Sequence, residues 1–577
     1  MLVNKIQCSQ IFRRKYFQSC ERQFHEQITK LQTAKTLQMD VDEAAKQSTS
    51  IPATNKSAGD IFPAPRVVPM VLSNKDPVVL SFDDVPGPKS LKYLSNVRHY
   101  ISEIGTQFTA TLLTAGLNIS SYLSKRTSIR NLSSLFDDYG PVVRFVSPVG
   151  GDIVLLNHPE HIRKVFSMEG VYPVRSTLES LEKYRMEHRN HVYGGIYTVH
   201  GQEWVRQKSI IESPLQAAST LHASSIYETC DKFTQKIYSL RNYQDEVSKD
   251  LYKEIHKWAF DCMGVMIFSK QFSMIDTEVV YSQCDKSWMY HCLEQATDAL
   301  DKCETGPHLW KLVTTPAWYK LVKYCDNLDH LIGKHVLEAD RELSGNSDTG
   351  NGHCLMNAIL LSDNQLTVED IATILMDMLI IGVNTVASSM SYLLYYIARY
   401  QKVQYTLYHE IENMYPNVIV DDITKLKENS PYLQACIKET LRIVPPIPLI
   451  TRILPKNITL DRYNIPRGTL IIMSTQDASL KESNYDDAKK FNPDRWMKAG
   501  THDYHAFASI PFGFGARKCL GQNIAETMLS FIIYLMQILN IQNYTFIFLD
   551  KYESLRPTTE FISKPSKPLK IRFIDRM

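Results

Sequence analysis

A mainly α-helical domain with a few small β-sheets (α+β) is the fold class this sequence predicts, and three observations predict it. First, long apolar patterns of helical period run over 226–240, 251–266, 366–400, 403–414 and 432–443. Second, strand-like pieces are short and few. The clearest are 470–473, 569–573 and the alternating residues of 142–156, which follow Tyr139-Gly140-Pro141 and suggest a hairpin. Third, no Gly/Ser linker or charge block divides the chain after Pro86, and no repeat or low-complexity block interrupts it. A chain of 577 residues has room for several domains, yet these patterns favour one large domain over 85–577.

Along the chain, Met1 to Cys20 carries Lys5, Arg13, Arg14 and Lys15, no acidic residue and no continuous apolar run. That composition resembles a mitochondrial presequence over 1–35 rather than a membrane anchor. Residues 36–84 are polar and proline-bearing and read as a poorly ordered lead-in. The stretch 344–352, rich in Gly, Asn, Ser and Asp, reads as a surface loop. The net charge of +2 gives no basic field suited to nucleic acid. The 11 cysteines show no zinc-type spacing and suit a reducing compartment as free thiols.

The most informative stretch is Pro511-Phe512-Gly513-Phe514-Gly515-Ala516-Arg517-Lys518-Cys519-Leu520-Gly521. It sets one cysteine on a glycine-punctuated loop before an apolar, helix-compatible run, 522–539. Glycines at 513, 515 and 521 permit backbone angles and close approaches denied to other residues. Such a loop can aim several N–H groups at one sulfur. With the positive end of the following helix, these would hold Cys519 as a thiolate. A shielded thiolate is the axial ligand that pushes electron density through haem iron. Cys519 alone reads as a buried free cysteine. The ordered set Phe512, Gly515, Arg517, Cys519 and Gly521 reverses that reading, and it resembles the haem-ligand signature of the cytochrome P450 family position for position. The resemblance implies a haem held between the long central helix and the cysteine loop, Phe512 screening the sulfur and Arg517 pairing with a propionate.

Upstream, Glu439-Thr440-Leu441-Arg442 places a carboxylate and a guanidinium on one helix face. Alone, such a pair is a weak surface contact. Pro445, Pro446 and Pro448 then stop the helix, and Phe491-Asn492-Pro493-Asp494-Arg495-Trp496 follows. In the family resembled here, the corresponding groups lock together, which implies a structural triad of Glu439, Arg442 and Arg495.

The third piece lies in the middle of 366–400, at Ile381-Gly382-Val383-Asn384-Thr385-Val386. A glycine inside a helix costs about 1 kcal/mol against alanine, and polar Asn384 and Thr385 must find partners. One account is a packing glycine and a threonine bonded to its own backbone. The resemblance implies another: a local helix distortion for dioxygen, with Thr385 and Asn384 catalytic in positioning the water that delivers protons. Ile381 stands where a small residue is usual, Asn384 replaces an acid, and Val386 follows Thr385. Asn384 can orient water but cannot ionise.

Further matches extend over 86–572. Val85-Pro86-Gly87-Pro88 resembles the family's lead turn, and Glu169-Gly170-Val171-Tyr172-Pro173-Val174-Arg175 a segment of its mitochondrial class. Trp204, Lys208 and Arg452 match haem-contacting positions. Lys208 keeps the charge of the usual arginine without its fork, and Arg206 is an alternative. The pocket is expected from Met378, Ile381, Ile447, Leu449 and Ile450. The resemblance implies a small acidic ferredoxin as electron donor, reduced by an NADPH-dependent flavoprotein and docking at Lys438 and Lys518. It also implies monotopic contact with the matrix side of the mitochondrial inner membrane through apolar residues of 274–318. The function implied is hydroxylation of a sterol, steroid or ecdysteroid-like lipid by O2. A haem-thiolate isomerase or lyase acting on peroxides, and a non-catalytic haem-binding protein, stay open at this point.

Overall fold

The longest apolar pattern forms a helix of 32 residues, Val368–Arg399. It lies at the centre of a computed structural model that describes residues 79–88, 129–146, 152–247, 250–276, 285–305, 308–311, 313–345, 354–362, 366–414, 423–497, 504–538, 544–548, 555–558 and 561–575. A capping box starts the helix. The Thr367 hydroxyl accepts the Asp370 N–H at 3.1 Å, while the Asp370 carboxylate accepts the Thr367 N–H at 3.0 Å. The helix is long and apolar enough to cross a membrane, but it is mostly buried. It packs among helices Leu251–Phe268, Asp285–Thr305, Pro431–Ile443 and Gln522–Ile538.

The other expected helices form at Ala223–Leu240, Leu251–Phe268, Gln401–Met414 and Pro431–Ile443. The run after the cysteine loop forms Gln522–Ile538. Their ends follow local chemistry. Asp250 caps Leu251–Phe268 by accepting the Tyr252 N–H at 3.2 Å, and Ser269, at φ 51°, turns the chain out of it. Pro445 and Pro446 leave Pro431–Ile443 no continuation.

Eight strands make three small sheets among the described residues: β1 (Val142–Phe145), β2 (Ile153–Leu156), β3 (Leu449–Ile453), β4 (Ile458–Leu460), β5 (Tyr463–Ile465), β6 (Leu470–Ser474), β7 (Tyr544–Phe548) and β8 (Ile571–Asp575). The largest sheet runs β1-β2-β6-β3, with β2 and β6 parallel and the outer pairs antiparallel. The expected hairpin is β1–β2. The strand expected at 569–573 sits two residues later. The architecture is the mainly helical one with small sheets.

One expectation needs correction. The loop expected at 344–352 begins later, because helix Pro316–Gly345 runs through Ser344; residues 346–352 lie outside the described ones. The segment 274–318 turns most of its large apolar side chains inward. Met274, Ile275, Met289, Leu293, Leu300 and Trp310 are buried in the main core, and among the described residues of the segment Val313 is the large apolar one left exposed. The presequence and most of the lead-in lie outside the described residues.

Candidate active site

A cavity of about 690 Å³ lies between the central helix, β3 and the cysteine loop. The loop's geometry rests on two glycines. Gly513 and Gly515 both adopt φ +73°, and a Cβ on Gly515 would fall on the Glu169 carboxylate. Gly521 needs neither allowance. Cys519 faces the cavity, its N–H donating to the Phe512 carbonyl at 2.9 Å. One of the N–H groups expected at the sulfur is present, that of Gly521. Burial pushes the thiol up, and the Gly521 N–H on the sulfur with the Lys518 charge only oppose it.

The wall beside the loop is strongly cationic. Arg517 donates to the carbonyls of Pro173 at 3.1 Å and Val199 at 2.9 Å, and its guanidinium lies 3.9 Å over the Trp204 ring. Arg175 donates to the Tyr197 carbonyl at 3.0 Å and stacks 4.0 Å over that ring. Arg452 donates to Glu169 at 2.6 Å. All three arginines line the cavity. Burial, then Arg175 and Arg452, drive Arg517 down to about 9. Arg517 Nη1 and Arg175 Nε are buried without an acceptor. Of the three guanidiniums, Arg452 alone pairs with Glu169, and two N–H groups of the others stay open, so the wall suits an anionic partner. Haem brings two propionates and an iron for Cys519, and the residues present fit it.

Opposite, the central helix opens. Residues Met378–Val383 wind as a π-helix, the local distortion expected at Gly382. Asn384 stabilises it by donating to the Ile380 carbonyl at 2.8 Å and to Thr297 Oγ1 at 3.1 Å. With both amide hydrogens placed, its Oδ1 accepts from His256 Nε2 at 3.3 Å. Asn384 is thus buried behind the cavity wall. Thr385 lines the cavity, its hydroxyl donating to the Gly382 carbonyl at 3.2 Å. The Thr385 hydroxyl is thus bonded to its own backbone, as one account expected, while the residue faces the cavity.

Met378, Ile381, Ile447, Leu449 and Ile450 all line the cavity, as do Trp204, Lys208, Phe512 and Lys518. Lys208 pairs with Glu212 at 3.5 Å, while Arg206 is spent on Glu203 at 2.8 Å and takes no part in the lining. Glu439 accepts from Arg442 at 2.8 and 2.9 Å and from Arg495 at 3.0 Å, all three fully or almost fully buried. Trp496 Nε1 and the Asn492 N–H add bonds at 2.9 and 3.0 Å. Lys438 lies outside the cavity on an exposed face, its ammonium 3.9 Å over the Trp496 ring. The sequence reading missed Arg175, Glu169 and the Trp496 contact as site features. A charge at each end of the 169–175 segment was the available signal for the first two.

The Cytochrome P450 family model matches residues 111–573. The chain is 27% identical over 460 residues to cytochrome P450 CYP12A2 of Musca domestica, covering 76% of this chain and 84% of that one. It is 27% identical over 462 residues to the mitochondrial 1,25-dihydroxyvitamin D(3) 24-hydroxylase of Mus musculus, covering 77% and 84%. A probable mitochondrial cytochrome P450 301a1 of Drosophila melanogaster is 26% identical over 510 residues, covering 85% and 87%. Fold, cysteine loop and arginine wall define a haem-thiolate protein, and the chain belongs to the cytochrome P450 family. It is a monooxygenase with haem as its cofactor.

Proposed function

We propose that this monooxygenase hydroxylates a sterol, steroid or ecdysteroid-like lipid in mitochondria, on the matrix side of the inner membrane, with electrons from a ferredoxin and its NADPH-dependent reductase. The observation that carries the reading is the cavity itself, with Cys519 on one wall, Thr385 on another and branched aliphatic side chains between them. The mitochondrial relatives, one of them named as a vitamin D hydroxylase, support the compartment and the lipid class.

When bound, haem supplies the activation of O2 and the oxidation of a C–H bond. The chain supplies the rest. Cys519 would be the iron ligand, and Phe512 would restrict water at the sulfur. Arg517, Arg175 and Arg452, with Trp204 and Lys208, would hold the carboxylate edge. Thr385 Oγ1 holds a water and its proton at the cavity surface, while Asn384 keeps the π segment open behind it. Met378, Ile381, Ile447, Leu449 and Ile450 orient the lipid and exclude water. Lys438 and Lys518 offer positive charge to the acidic donor, and Lys438 is held in place by Trp496.

The test is single turnover with ferredoxin, reductase, NADPH and isotope-labelled O2. Label in an alcohol product supports the reading. Turnover of a lipid hydroperoxide without the electron donor would replace it with an isomerase. In Cys519→Ala the Soret band of the reduced carbon monoxide adduct should lose its thiolate position; a band that stays put removes Cys519 as ligand.

A further inference from the structure

We infer that Glu304 is a polar anchor of the substrate cavity, and that its Oε2 receives a hydroxyl group of a lipid substrate. The inference rests on the lipid reading above and narrows it to hydroxylated lipids. Two carboxylates line the cavity among the described residues, Glu304 and Asp377. They are not equivalent. Asp377 is spent on both oxygens, with Arg185 donating at 2.6 Å to one and the Tyr197 N–H at 2.9 Å to the other. It ties the chain around Tyr197 to the central helix. Glu304 is spent on one oxygen only: Oε1 accepts the Ser180 N–H at 2.8 Å and the Ser180 hydroxyl at 2.5 Å. No bond reaches Oε2 from the described residues.

The neighbouring hydroxyls cannot replace it as hydrogen-bond acceptors of full charge, and their own hydrogens are committed. Thr305 donates to the Asp301 carbonyl at 2.6 Å, and Thr177 donates to Glu182 at 2.5 Å. Glu304 sits at the end of helix Asp285–Thr305, which packs against the π segment. Glu304 is half-buried and its Oε2 is not among the buried atoms without a partner, so the oxygen stays within reach of water that a ligand hydroxyl can replace. An alcohol suits it better than an ammonium, whose own desolvation in such a cavity is far costlier. Burial raises the Glu304 carboxyl above its ordinary range, against the two bonds from Ser180.

The experiment titrates the haem-loaded enzyme with cholestene, cholesterol and side-chain-hydroxylated cholesterol from cyclodextrin, reading the haem spin-state shift. Glu304→Gln and Glu304→Leu are run beside the parent, with thermal midpoints for each. Expected is about tenfold or tighter binding of a hydroxylated sterol over cholestene, as one hydrogen bond to a charged or acidic group allows. Glu304→Leu should bring that ratio below about twofold with cholestene affinity unchanged, and Glu304→Gln should keep most of it. Equal binding of all three sterols, or a preference that survives Glu304→Leu, overturns the anchor. Equal loss of affinity for all three in Glu304→Leu would reduce Glu304 to a tether for Ser180 and also overturn it. If no sterol shifts the spin state of the parent, the sterol class itself falls, and the anchor with it.

Discussion

Glu439 shows what a single residue carries. Its carboxylate accepts from Arg442, Arg495, Trp496 and the Asn492 backbone with no exposure to solvent. Removing it leaves two guanidiniums buried without a counter-charge, which costs about 3–5 kcal/mol. Glu439→Ala should therefore lose a large part of a typical domain's stability, read as the denaturant midpoint and as haem bound per chain. A loss under about 1 kcal/mol would show that the cluster is not a structural lock. The remaining folded fraction should keep its normal spectrum, because Glu439 is no part of the cavity lining. Thr385 carries the opposite kind of effect. Its hydroxyl is tied to the Gly382 carbonyl at 3.2 Å yet lines the cavity. Thr385→Ala should fold normally, with product falling by up to about 100-fold while NADPH use continues and hydrogen peroxide rises. Unchanged coupling of NADPH to product would take Thr385 out of proton handling. The residues of both sites were legible because each belongs to a short pattern of fixed order. Trp496 as a donor to Glu439 was not, since an indole N–H has no partner that spacing alone identifies.

At the scale of elements, helix Leu251–Phe268 carries two buried groups whose titrations oppose each other. Burial lowers His256 to about 4, although its bond with Asn384 raises it. The folded state then binds fewer protons than the unfolded chain, so this contribution is complete above about pH 6.5. It is lost as pH falls toward 4, about 3 kcal/mol in all. Burial raises Asp261 to about 6, against the N–H bonds from Met274 and Ile275. Here the folded state binds more protons, and a similar contribution, about 3 kcal/mol, is lost as pH climbs through 6. The parent should show little net slope between pH 4 and 6 from this pair. Urea unfolding at several pH values should reveal each partner separately: His256→Gln should gain stability toward acid relative to the parent, and Asp261→Asn should lose it. Parallel slopes for all three proteins would refute the assignment. The helix itself was legible from its apolar period. Its polar interior was not, because His256 meets Asn384 on another helix, and helical spacing reports a face without naming its partner.

At the scale of the whole molecule, the cavity brings together segments that lie far apart in the chain. Arg452 reaches Glu169 across 283 positions, and Arg517 reaches Pro173 across 344. Motif order announced the cysteine loop, the π segment and β3 as walls, since each keeps its chemistry within a few residues. The cationic wall and the open Glu304 oxygen were hidden, because pairing over such separations leaves no local trace in sequence. That wall makes a prediction about the molecule as a unit. Arg175, Arg452 and Arg517 are like charges pressed together by folding, with Arg452 alone paired to a carboxylate, Glu169, and two N–H groups of the other two without acceptors. Folding without an anion there bears both repulsion and lost hydrogen bonds. Removing haem should lower the thermal midpoint, and hemin should restore it by mass action on the folded state. Hemin dimethyl ester offers the same iron to Cys519 and the same apolar ring, but no carboxylate charge. It should restore less, by about 1.5–3 kcal/mol for each charged hydrogen bond lost. In Arg175→Gln the gap between hemin and its ester should narrow, because one of the open donors is gone. If the ester stabilises the parent as fully as hemin does, the arginines answer to some other anion, and the wall is not the carboxylate edge of the haem site.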